Sequence, residues 1–405
     1  MYKGGADLSL QLLKKMSNKN LPDFRDTERA FRHLSDRDLS RGRLLFELLS
    51  RPWLVAIGSF FARVALFIHL PIGWAIRPTV YAQFCGGEDV AESEGTIALL
   101  YTSKVMTILD YSAEGVDAED DLDFTCSEVL KTVEAAAHDP RHAFAVFKPS
   151  GLSSNALLLK KKKDFSENDL EAWERVERRV RSICAATAEA GGRVLIDAEE
   201  SWIQDNIDEL AEDMMSDFNR ETAIVFTTAQ LYRHDRLAYI KDLKRKANES
   251  GFIAGVKLVR GAYMEKERER AEERGYNSPI HTDKTSTDLD FDDAVKFCLE
   301  NLEHVHLFCG SHNEESNMKL CEAMAEMGIA NNDKRITFSQ LLGMSDPITF
   351  NLADHGYNVA KYVPYGPIRE AMPYLIRRAK ENTSVAGQTS RELSLIREEI
   401  ARRKS

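Results

Sequence analysis

The residues best suited to chemistry in this sequence stand where short apolar runs end. Lys148 ends the run Phe-Ala-Val-Phe, Asp197 ends Val-Leu-Ile, and Lys257 and Arg260 lie within and after a run that begins at Ala254. Three later runs are followed by the polar residues His312, Asn313, Gln340 and Tyr362. A buried charge without a partner costs several kcal/mol, so these charges must pair with each other, with a ligand or with water.

Asp197 and Lys257 form the first candidate pair. Side chains alternate between the two faces of a strand, so Asp197 shares a face with Leu195 and Lys257 shares one with Val259. If both charges point into one enclosed space, a cation and an anion meet there. The same pattern fits an internal ion pair that binds no ligand, and both interpretations stay open at this point.

A second candidate is the helical segment 374–382, which carries Arg377 and Arg378 side by side. Adjacent guanidinium groups suit bidentate binding of a small carboxylate. The aromatic segment that begins at Tyr362 precedes this helix, which favours a small anion with an apolar body as the ligand. The alternative is a surface helix with an Arg377–Glu381 ion pair one turn apart.

Eight short β-rich runs must position these residues. They lie at 105–110, 143–148, 193–197, 223–227, 254–259, 304–309, 335–339 and 358–362. Amphipathic helical stretches separate them, among them 166–190, 236–249, 289–303 and 313–327. Strands alternating with helices predict a parallel sheet, and eight such units close a (β/α)8 barrel with its active site at the C-terminal strand ends. An open dinucleotide-binding sheet would carry a Gly-rich first turn, and no G-x-G-x-x-G motif is present.

The chain divides into a predicted helical arm at 1–95 and a barrel domain at 96–405. Within the arm, residues 52–76 are mostly apolar but contain Arg63 and His69. A charge near the middle is costly in a spanning helix, so a helix that touches a membrane or packs on the barrel is favoured. No secretory signal stands at Met1, and a removed presequence stays undecided.

Charge and cysteine spacing argue against two classes of function, general nucleic-acid binding and metal binding. The net charge is −11, whereas a general nucleic-acid binder needs clustered Lys and Arg. The six cysteines have irregular spacing without a C-x-x-C pair, which predicts free thiols in a reducing compartment and no metal site.

The chain resembles the proline dehydrogenase family from about residue 80 to residue 400. The shared motifs, in order, are Ile196-Asp-Ala-Glu-Glu200, Lys257-Leu-Val-Arg-Gly-Ala-Tyr263, Gln340-Leu-Leu-Gly-Met344 and Tyr374-Leu-Ile-Arg-Arg-x-x-Glu-Asn382. The segment Tyr81-Ala-Gln-Phe-Cys-Gly-Gly-Glu88 is similar to the eukaryotic, mitochondrial branch. Several long motifs in one order are far more specific than a single short one.

The resemblance implies an α/β fold, a distorted (β/α)8 TIM-like barrel with an N-terminal helical arm, that holds FAD non-covalently. It implies hydride transfer from C5 of L-proline to flavin N5, which gives 1-pyrroline-5-carboxylate in the first step of proline catabolism to glutamate. Electrons would pass to ubiquinone or another membrane quinone. The protein would lie peripherally on the matrix side of the mitochondrial inner membrane.

The resemblance also implies roles for individual residues. Arg377 and Arg378 would clamp the proline carboxylate, with Asp197 orienting them and Lys148 supporting that network. The pyrrolidine ring would be walled by Leu341, Tyr362 and Tyr374. Lys257 would lie near flavin N5 and Gln230 at the isoalloxazine edge. The ribityl and phosphate parts would be held by Arg260, Gly261, Ala262, Thr282, Lys284, Ser311, His312 and Asn313, and the cofactor shell would be completed by Gln340 and Glu381.

Two features test these roles. Many bacterial members have Arg-Leu-Val-Lys where this chain has Lys257-Leu-Val-Arg260, so the flavin contacts of the two cations stay open. The substrate amine must be neutral to lose a hydride, so a hydrogen bond from the substrate nitrogen to Glu199 would contradict the assignment.

Three alternatives remain. A hydroxyproline dehydrogenase would need space and a polar partner for the 4-hydroxyl, and the bulk of Tyr362 disfavours it. An inactive scaffold would show damage at the paired arginines or in the flavin shell, and none is present. A lyase or aldolase could use Lys148 or Lys257 as a Schiff base, but it would leave the arginine helix without a purpose.

Overall fold

The computed structural model describes residues 21–68, 70, 73–111, 117–384 and 388–405, without the side chains of residue 66 and residues 380–390. Eight strands are present: β1 Met106–Tyr111, β2 Ala145–Phe147, β3 Val194–Ile196, β4 Val225–Gln230, β5 Ala254–Val259, β6 Val305–Gly310, β7 Ile336–Leu341 and β8 Val359–Tyr365. Each overlaps one predicted run, so the strand prediction is confirmed.

The strands form one parallel sheet in the order β1-β8-β7-β6-β5-β4-β3-β2. A parallel bridge between Thr107 and His142, just before β2, brings the two edges together. The sheet therefore curls into a nearly closed barrel, and the predicted α/β (β/α)8 architecture is confirmed.

Helices follow the strands and cover the outside of the barrel. In chain order, the described α-helices are Thr27–Phe31, Asp36–Leu49, Pro52–Phe67, Gly73–Ile76, Ala82–Phe84, Val90–Tyr101, Glu119–Ala136, Asn155–Leu158, Glu167–Glu189, Ser201–Phe218, Arg236–Ser250, Met264–Arg274, Lys284–Glu300, Glu314–Glu326, Asp346–Asp354, Ile368–Ser384 and Gln388–Arg402. Local signals set several ends: Ser166 and Asp169 form a capping box, and Gly251 ends its helix in the left-handed region.

The lower half of the barrel interior is filled by aromatic rings. Phe144 packs edge to face on Phe226 and Phe308, with ring centroids 5.2 Å and 5.1 Å apart. Gly255 is required here, because a Cβ on it would lie 2.4 Å from the Val225 carbonyl oxygen. The packed lower half leaves the C-terminal strand ends as the place for a ligand.

The N-terminal arm packs on the C-terminal helix. Phe31 and Phe46 share a buried apolar cluster with Leu393 and Ile396. Residues 52–76 do not form one continuous helix: Pro52–Phe67 and Gly73–Ile76 are separate helices. Among the described residues, no single helix has the length and apolar composition to cross a membrane, although the bent pair Asp36–Leu49 and Pro52–Ala65 passes that test jointly. The division at residue 95 stays a prediction.

Candidate functional site

The alternation of side chains in the strands places one polar layer inside the top of the barrel. Ile108, Val146 and Leu195 belong to the buried interior cluster. Two positions further along the chain stand Asp110, within β1, and Lys148 and Asp197, each one residue past its strand, so the alternation continues to place them on the inward face.

Lys257, Asp197 and Tyr362 form a closed triangle of hydrogen bonds. The Lys257 ammonium donates to the Asp197 carboxylate at 2.7 Å and to the Tyr362 hydroxyl at 2.8 Å. The Tyr362 hydroxyl in turn donates to Asp197 at 3.0 Å. Burial, and then the Asp197 carboxylate, raise the pKa of Tyr362 well above its usual value, so the phenol keeps its proton. The predicted meeting of the two charges is confirmed.

A second ion pair joins the first two strands. The Lys148 ammonium lies 3.1 Å from both carboxylate oxygens of Asp110, and both side chains are largely buried. Asp110 was not among the predicted site residues, although it ends the predicted run 105–110 just as Lys148 ends the predicted run 143–148. The same strand-end signal would have identified it.

Glu199 faces Ser150. Its carboxylate accepts hydrogen bonds from the backbone N–H and the hydroxyl of Ser150. Burial raises the pKa of Glu199 to about 7, and the Ser150 hydrogen bonds oppose that rise. The Gln230 amide joins this loop to the next, because it donates to the Glu199 carbonyl at 2.7 Å and accepts from the Ala262 N–H at 3.1 Å.

Arg260 lies at the outer rim, beyond the triangle. Its guanidinium donates to Asp288 at 2.7 Å and to the hydroxyls of Ser311 and Ser316 at 2.9 Å each. Lys284 also bonds Asp288. Burial raises the pKa of Asp288, but the hydrogen bonds from Lys284 and Arg260 outweigh it and hold the pKa below its usual value. Lys257 and Arg260 therefore occupy different layers.

Two helices begin at this rim, Lys284–Glu300 and Glu314–Glu326. Asn313 caps the second by accepting from the Ser316 N–H at 3.1 Å. Thr282 stands exposed just before the first helix. Helix N-termini beside an arginine and a lysine are suited to an anionic group such as a phosphate.

The turn from β5 requires a glycine. Gly261 has a φ of 132°, and a Cβ there would lie 2.5 Å from the Tyr232 ring. Any side chain at this position would displace Tyr232, so the backbone path that carries Arg260 to the rim depends on Gly261.

His312 and Gln340 lie between the rim and the segment after β7. The Nδ1 atom of His312 lies 2.9 Å from the Ser345 hydroxyl. Burial and nearby cations lower the pKa of His312 to about 3, so the imidazole is neutral. Gln340 donates to the Ser311 carbonyl at 3.1 Å and accepts from the Thr349 hydroxyl at 2.8 Å.

Helix Ile368–Ser384 carries the paired arginines after β8. Arg378 is buried, with its guanidinium carbon 5.4 Å from the centroid of the Tyr374 ring, and Arg377 is half-buried. Leu341 packs against both the barrel interior and the cluster beside this helix. The side chain of Glu381 lies outside the described part of the structure.

The segment 81–88 holds the last strand end in place. Gly86 donates to the Pro364 carbonyl at 2.9 Å, and the Tyr81 hydroxyl donates to the Gly366 carbonyl at 2.8 Å. A Cβ on Gly86 would lie 2.6 Å from Val363. This close approach explains the glycine.

The structure thus gathers most of the predicted residues at the C-terminal ends of the strands and the segments that follow them. It adds Asp110 as the partner of Lys148, and Asp288 and Ser316 as partners of Arg260, and it pairs Glu199 with Ser150. Among the residues that the structure describes, no group of three or more His, Cys, Asp or Glu side chains could hold a metal ion.

Comparison with known proteins identifies the family to which the chain belongs. Residues 93–391 match the family model described as "Proline dehydrogenase". The chain is 33% identical to the "Carbapenem antibiotics biosynthesis protein CarD" of Pectobacterium carotovorum subsp. carotovorum, over 79% of this chain and 83% of that protein. It is 38% identical to "Proline dehydrogenase 1, mitochondrial" of Homo sapiens, over 59% of this chain and 40% of that protein. It is 29% identical to "Hydroxyproline dehydrogenase" of Xenopus laevis, over 92% of this chain and 88% of that protein.

Among solved structures, the fold is similar to proline utilization A (PutA) from Bdellovibrio bacteriovorus inactivated by N-propargylglycine. The TM-score is 0.73 at 20% identity, over 88% of this chain and 42% of that chain. The chain thus matches less than half of the length of that structure and of the human relative. The structural likeness supports the barrel fold.

Proposed function

Because the chain belongs to the proline dehydrogenase family, a family of oxidoreductases, we propose that it oxidises L-proline to 1-pyrroline-5-carboxylate with FAD as its cofactor. The observation that carries this proposal is the polar layer at the strand ends, in which Lys257, Asp197 and Tyr362 form one connected group. The reaction would be the first step of proline catabolism to glutamate.

The paired arginines are the proposed carboxylate clamp. Two guanidinium groups on one helix match the two oxygens of a small carboxylate. Asp197 and Lys148 would support the clamp from the barrel side, and Leu341, Tyr362 and Tyr374 would wall the apolar ring. A carboxylate clamp beside an apolar wall fits an α-amino acid with a compact, apolar side chain.

The rim around Arg260 fits the anionic part of FAD. Its donor set consists of Arg260, Lys284, Ser311 and the start of helix Glu314–Glu326, and such donors bind phosphate oxygens. The site for the anionic part of FAD would be completed by Gly261, Ala262, Thr282, His312 and Asn313. The ring system would be surrounded by Gln230, Lys257, Gln340 and Glu381. FAD, when bound, would supply the hydride acceptor.

Lys257 suits a position beside the ring system. A cation held in a largely buried layer favours any group that gains negative charge there, since few water molecules screen it. Its hydrogen bonds to Asp197 and Tyr362 fix the ammonium in place before a ligand arrives.

The surroundings of Glu199 agree with oxidation of a neutral amine. Its carboxylate already accepts two hydrogen bonds from Ser150. These bonds hold the carboxylate toward Ser150 and use part of its capacity to accept a hydrogen bond from the substrate nitrogen.

Oxidation of 4-hydroxyproline is the second candidate, because a relative in Xenopus laevis is named hydroxyproline dehydrogenase. Tyr362 argues against it. Its hydroxyl accepts from Lys257 and donates to Asp197, so it has no proton left to offer a substrate hydroxyl. Its ring also takes up space at the predicted ring position.

We further propose a quinone as electron acceptor, with peripheral attachment to the matrix side of the mitochondrial inner membrane. The names of mitochondrial relatives and the segment 81–88 support the eukaryotic branch, although CarD shows that bacterial proteins are comparably similar. Helix Pro52–Phe67 supports the attachment, because Phe60, Phe61 and Phe67 are exposed on it. The arm at 1–95 would carry that attachment and the domain at 96–405 the chemistry.

An anaerobic visible spectrum of the purified, FAD-loaded protein tests the proposal. L-Proline should bleach the flavin bands, and 4-hydroxyproline should bleach them much more slowly. A protein that takes up FAD but is not bleached by proline would lose the substrate assignment. A protein that cannot take up FAD would contradict the proposed cofactor.

A further inference from the structure

An apolar cavity of about 720 Å³ lies between the N-terminal arm and the barrel. Its walls come from helices Asp36–Leu49, Pro52–Phe67, Ile368–Ser384 and Gln388–Arg402. Representative lining side chains are Leu45, Leu49, Val55, Leu375, Ile376 and Ile396. A concave, mostly apolar cavity of this size is typical of a small-molecule site.

One end of this cavity is polar. His33 lines it with a side chain that is only 5% exposed, and its Nδ1 atom has no hydrogen-bond partner in the described part of the chain. The Nε2 atom of His33 lies 3.9 Å from Asp346. A buried nitrogen without a partner is costly, and a ligand that offers a carbonyl oxygen would satisfy it.

Glu392 belongs to the same polar end. Its carboxyl group accepts from the Ser345 N–H at 3.2 Å. Burial, and then the nearby Asp346, raise the pKa of Glu392 to about 8, so at neutral pH it mostly holds a proton that it can donate. The polar end therefore offers two groups that can exchange protons with a ligand, the imidazole and this carboxyl.

Ser345 connects the polar end to the proposed cofactor region. Its backbone N–H binds Glu392 and its hydroxyl lies 2.9 Å from His312. Ser345 adopts a left-handed backbone with φ 54°, which is unfavourable for a residue with a side chain. Ser345 thus contacts one residue that lines the cavity and one residue of the proposed cofactor region.

The outer wall of the cavity is continuous with an exposed apolar surface. Helix Pro52–Phe67 turns one face to the cavity and exposes Trp53, Phe60, Phe61 and Phe67 on the other, at 60%, 62%, 63% and 84%. Trp74 beyond the helix is 81% exposed. Such a surface suits contact with lipid, so an apolar molecule dissolved in a membrane would meet the cavity at this wall.

From these observations we infer that the cavity binds the electron acceptor, a lipid-soluble quinone, with its ring at His33 and Glu392 and its apolar tail along the helix Pro52–Phe67. This inference rests on the proposed function. The overall reaction balances, because proline loses a hydride from C5 and a proton from nitrogen, while the quinone gains two electrons and two protons to become the quinol. A phospholipid chain would fill the apolar part but would leave the His33 nitrogen without a partner.

Photolabelling of the FAD-loaded full-length protein, without proline, tests the site. The probe is a short-tail ubiquinone that carries an aryl azide, and labelled peptides are mapped by mass spectrometry. We expect labels within residues 33–62 and 372–396. Ala62→Phe places a ring in the cavity and should reduce labelling about tenfold or more.

Ala56→Phe is the matched control, because Ala56 is exposed on the same helix and does not line the cavity. It should leave labelling unchanged. His33→Leu tests the polar end and should reduce labelling about tenfold, whereas His304→Leu, at an exposed histidine before β6, should not. Equal labelling in Ala62→Phe and Ala56→Phe, or labels confined to other peptides, would overturn the inference.

Two further measurements separate the possible failures. If dioleoylphosphatidylcholine vesicles displace the label as well as unlabelled quinone does, the cavity is a lipid site and the inference fails. Bleaching of the flavin by proline is recorded independently of labelling. If proline bleaches the flavin but the labels fall elsewhere, only the quinone-site inference fails. If the labels fall in the cavity but proline does not bleach the flavin, the proposed substrate fails and the quinone site stands.

Discussion

Replacing Lys257 by methionine tests whether the triangle in the barrel is more than an internal ion pair. Removing one partner of a buried ion pair costs about 3–5 kcal/mol, because the other charge loses its partner. Asp197 would keep the hydrogen bond from Tyr362 at 3.0 Å, and its side chain is 13% exposed. We therefore expect the lower end of the range, a loss of about 3 kcal/mol in the free energy of unfolding.

A double-mutant cycle with Asp197→Asn isolates the pair. Each single substitution leaves one charge in a largely buried layer, whereas Lys257→Met with Asp197→Asn leaves none. The double variant should lose about 3 kcal/mol instead of the sum of about 6, which gives a coupling energy of about 3 kcal/mol. Urea unfolding of the FAD-free proteins, followed by circular dichroism, provides the four free energies.

The exposed pair Arg181–Asp217 is the control, since its guanidinium–carboxylate distance is 2.6 Å but its side chains are 51% and 44% exposed. The same cycle there should give less than about 1 kcal/mol. Additive losses at Lys257 and Asp197 would refute the reasoning about burial.

Proline-driven bleaching then separates the two roles of Lys257. A purely structural lysine predicts that Lys257→Met, measured without urea while it is folded, is bleached at close to the original rate. A lysine that acts on the reacting groups predicts that folded Lys257→Met is bleached more slowly by about a hundredfold or more.

Three other outcomes follow from the same structure. Arg378→Lys should raise the KM for proline about tenfold or more, because a lysine cannot bind the carboxylate in a bidentate way. Arg397→Lys, in an exposed pair with Glu47, is the control and should leave the KM unchanged. An unchanged KM in Arg378→Lys would contradict the proposed clamp. Glu199 has a pKa raised to about 7, so its contribution to stability is present below its usual pKa of 4.5 and is lost as pH rises through 7. Glu199→Gln should therefore gain stability over the original chain at about pH 8, by roughly 3 kcal/mol at most, and little at about pH 4; parallel pH profiles of the unfolding midpoint would contradict this. Arg260→Met should weaken FAD binding, measured by equilibrium dialysis, by about tenfold or more. Arg274→Met, at an exposed arginine, is the control. Equal FAD affinities of Arg260→Met and the original chain would exclude Arg260 from the anion site.

The sequence by itself determined the barrel architecture and the end of the barrel, at the C-terminal ends of the strands, where the site lies. Strand and helix periodicity are local properties, so eight apolar runs separated by amphipathic stretches were sufficient to predict the barrel. The ends of the apolar runs likewise placed Lys148 and Asp197 at strand ends, and the alternation within a strand gave the face that Asp197 occupies. The family motifs then supplied expected roles for residues such as Gln230, which ends β4 but lies three positions beyond the predicted run 223–227 and so gives no strand-end signal.

Only the tertiary structure decided which polar groups are partners. Lys257 meets Asp197 across 60 positions of sequence and Tyr362 across 105, and no local pattern encodes that choice. The structure also turned Glu199 toward Ser150, divided residues 52–76 into two helices, and brought both His33 and Glu392 close to Asp346. The physical reason is that periodicity fixes the direction of a side chain relative to its own element, whereas the partner it meets depends on how distant elements pack together.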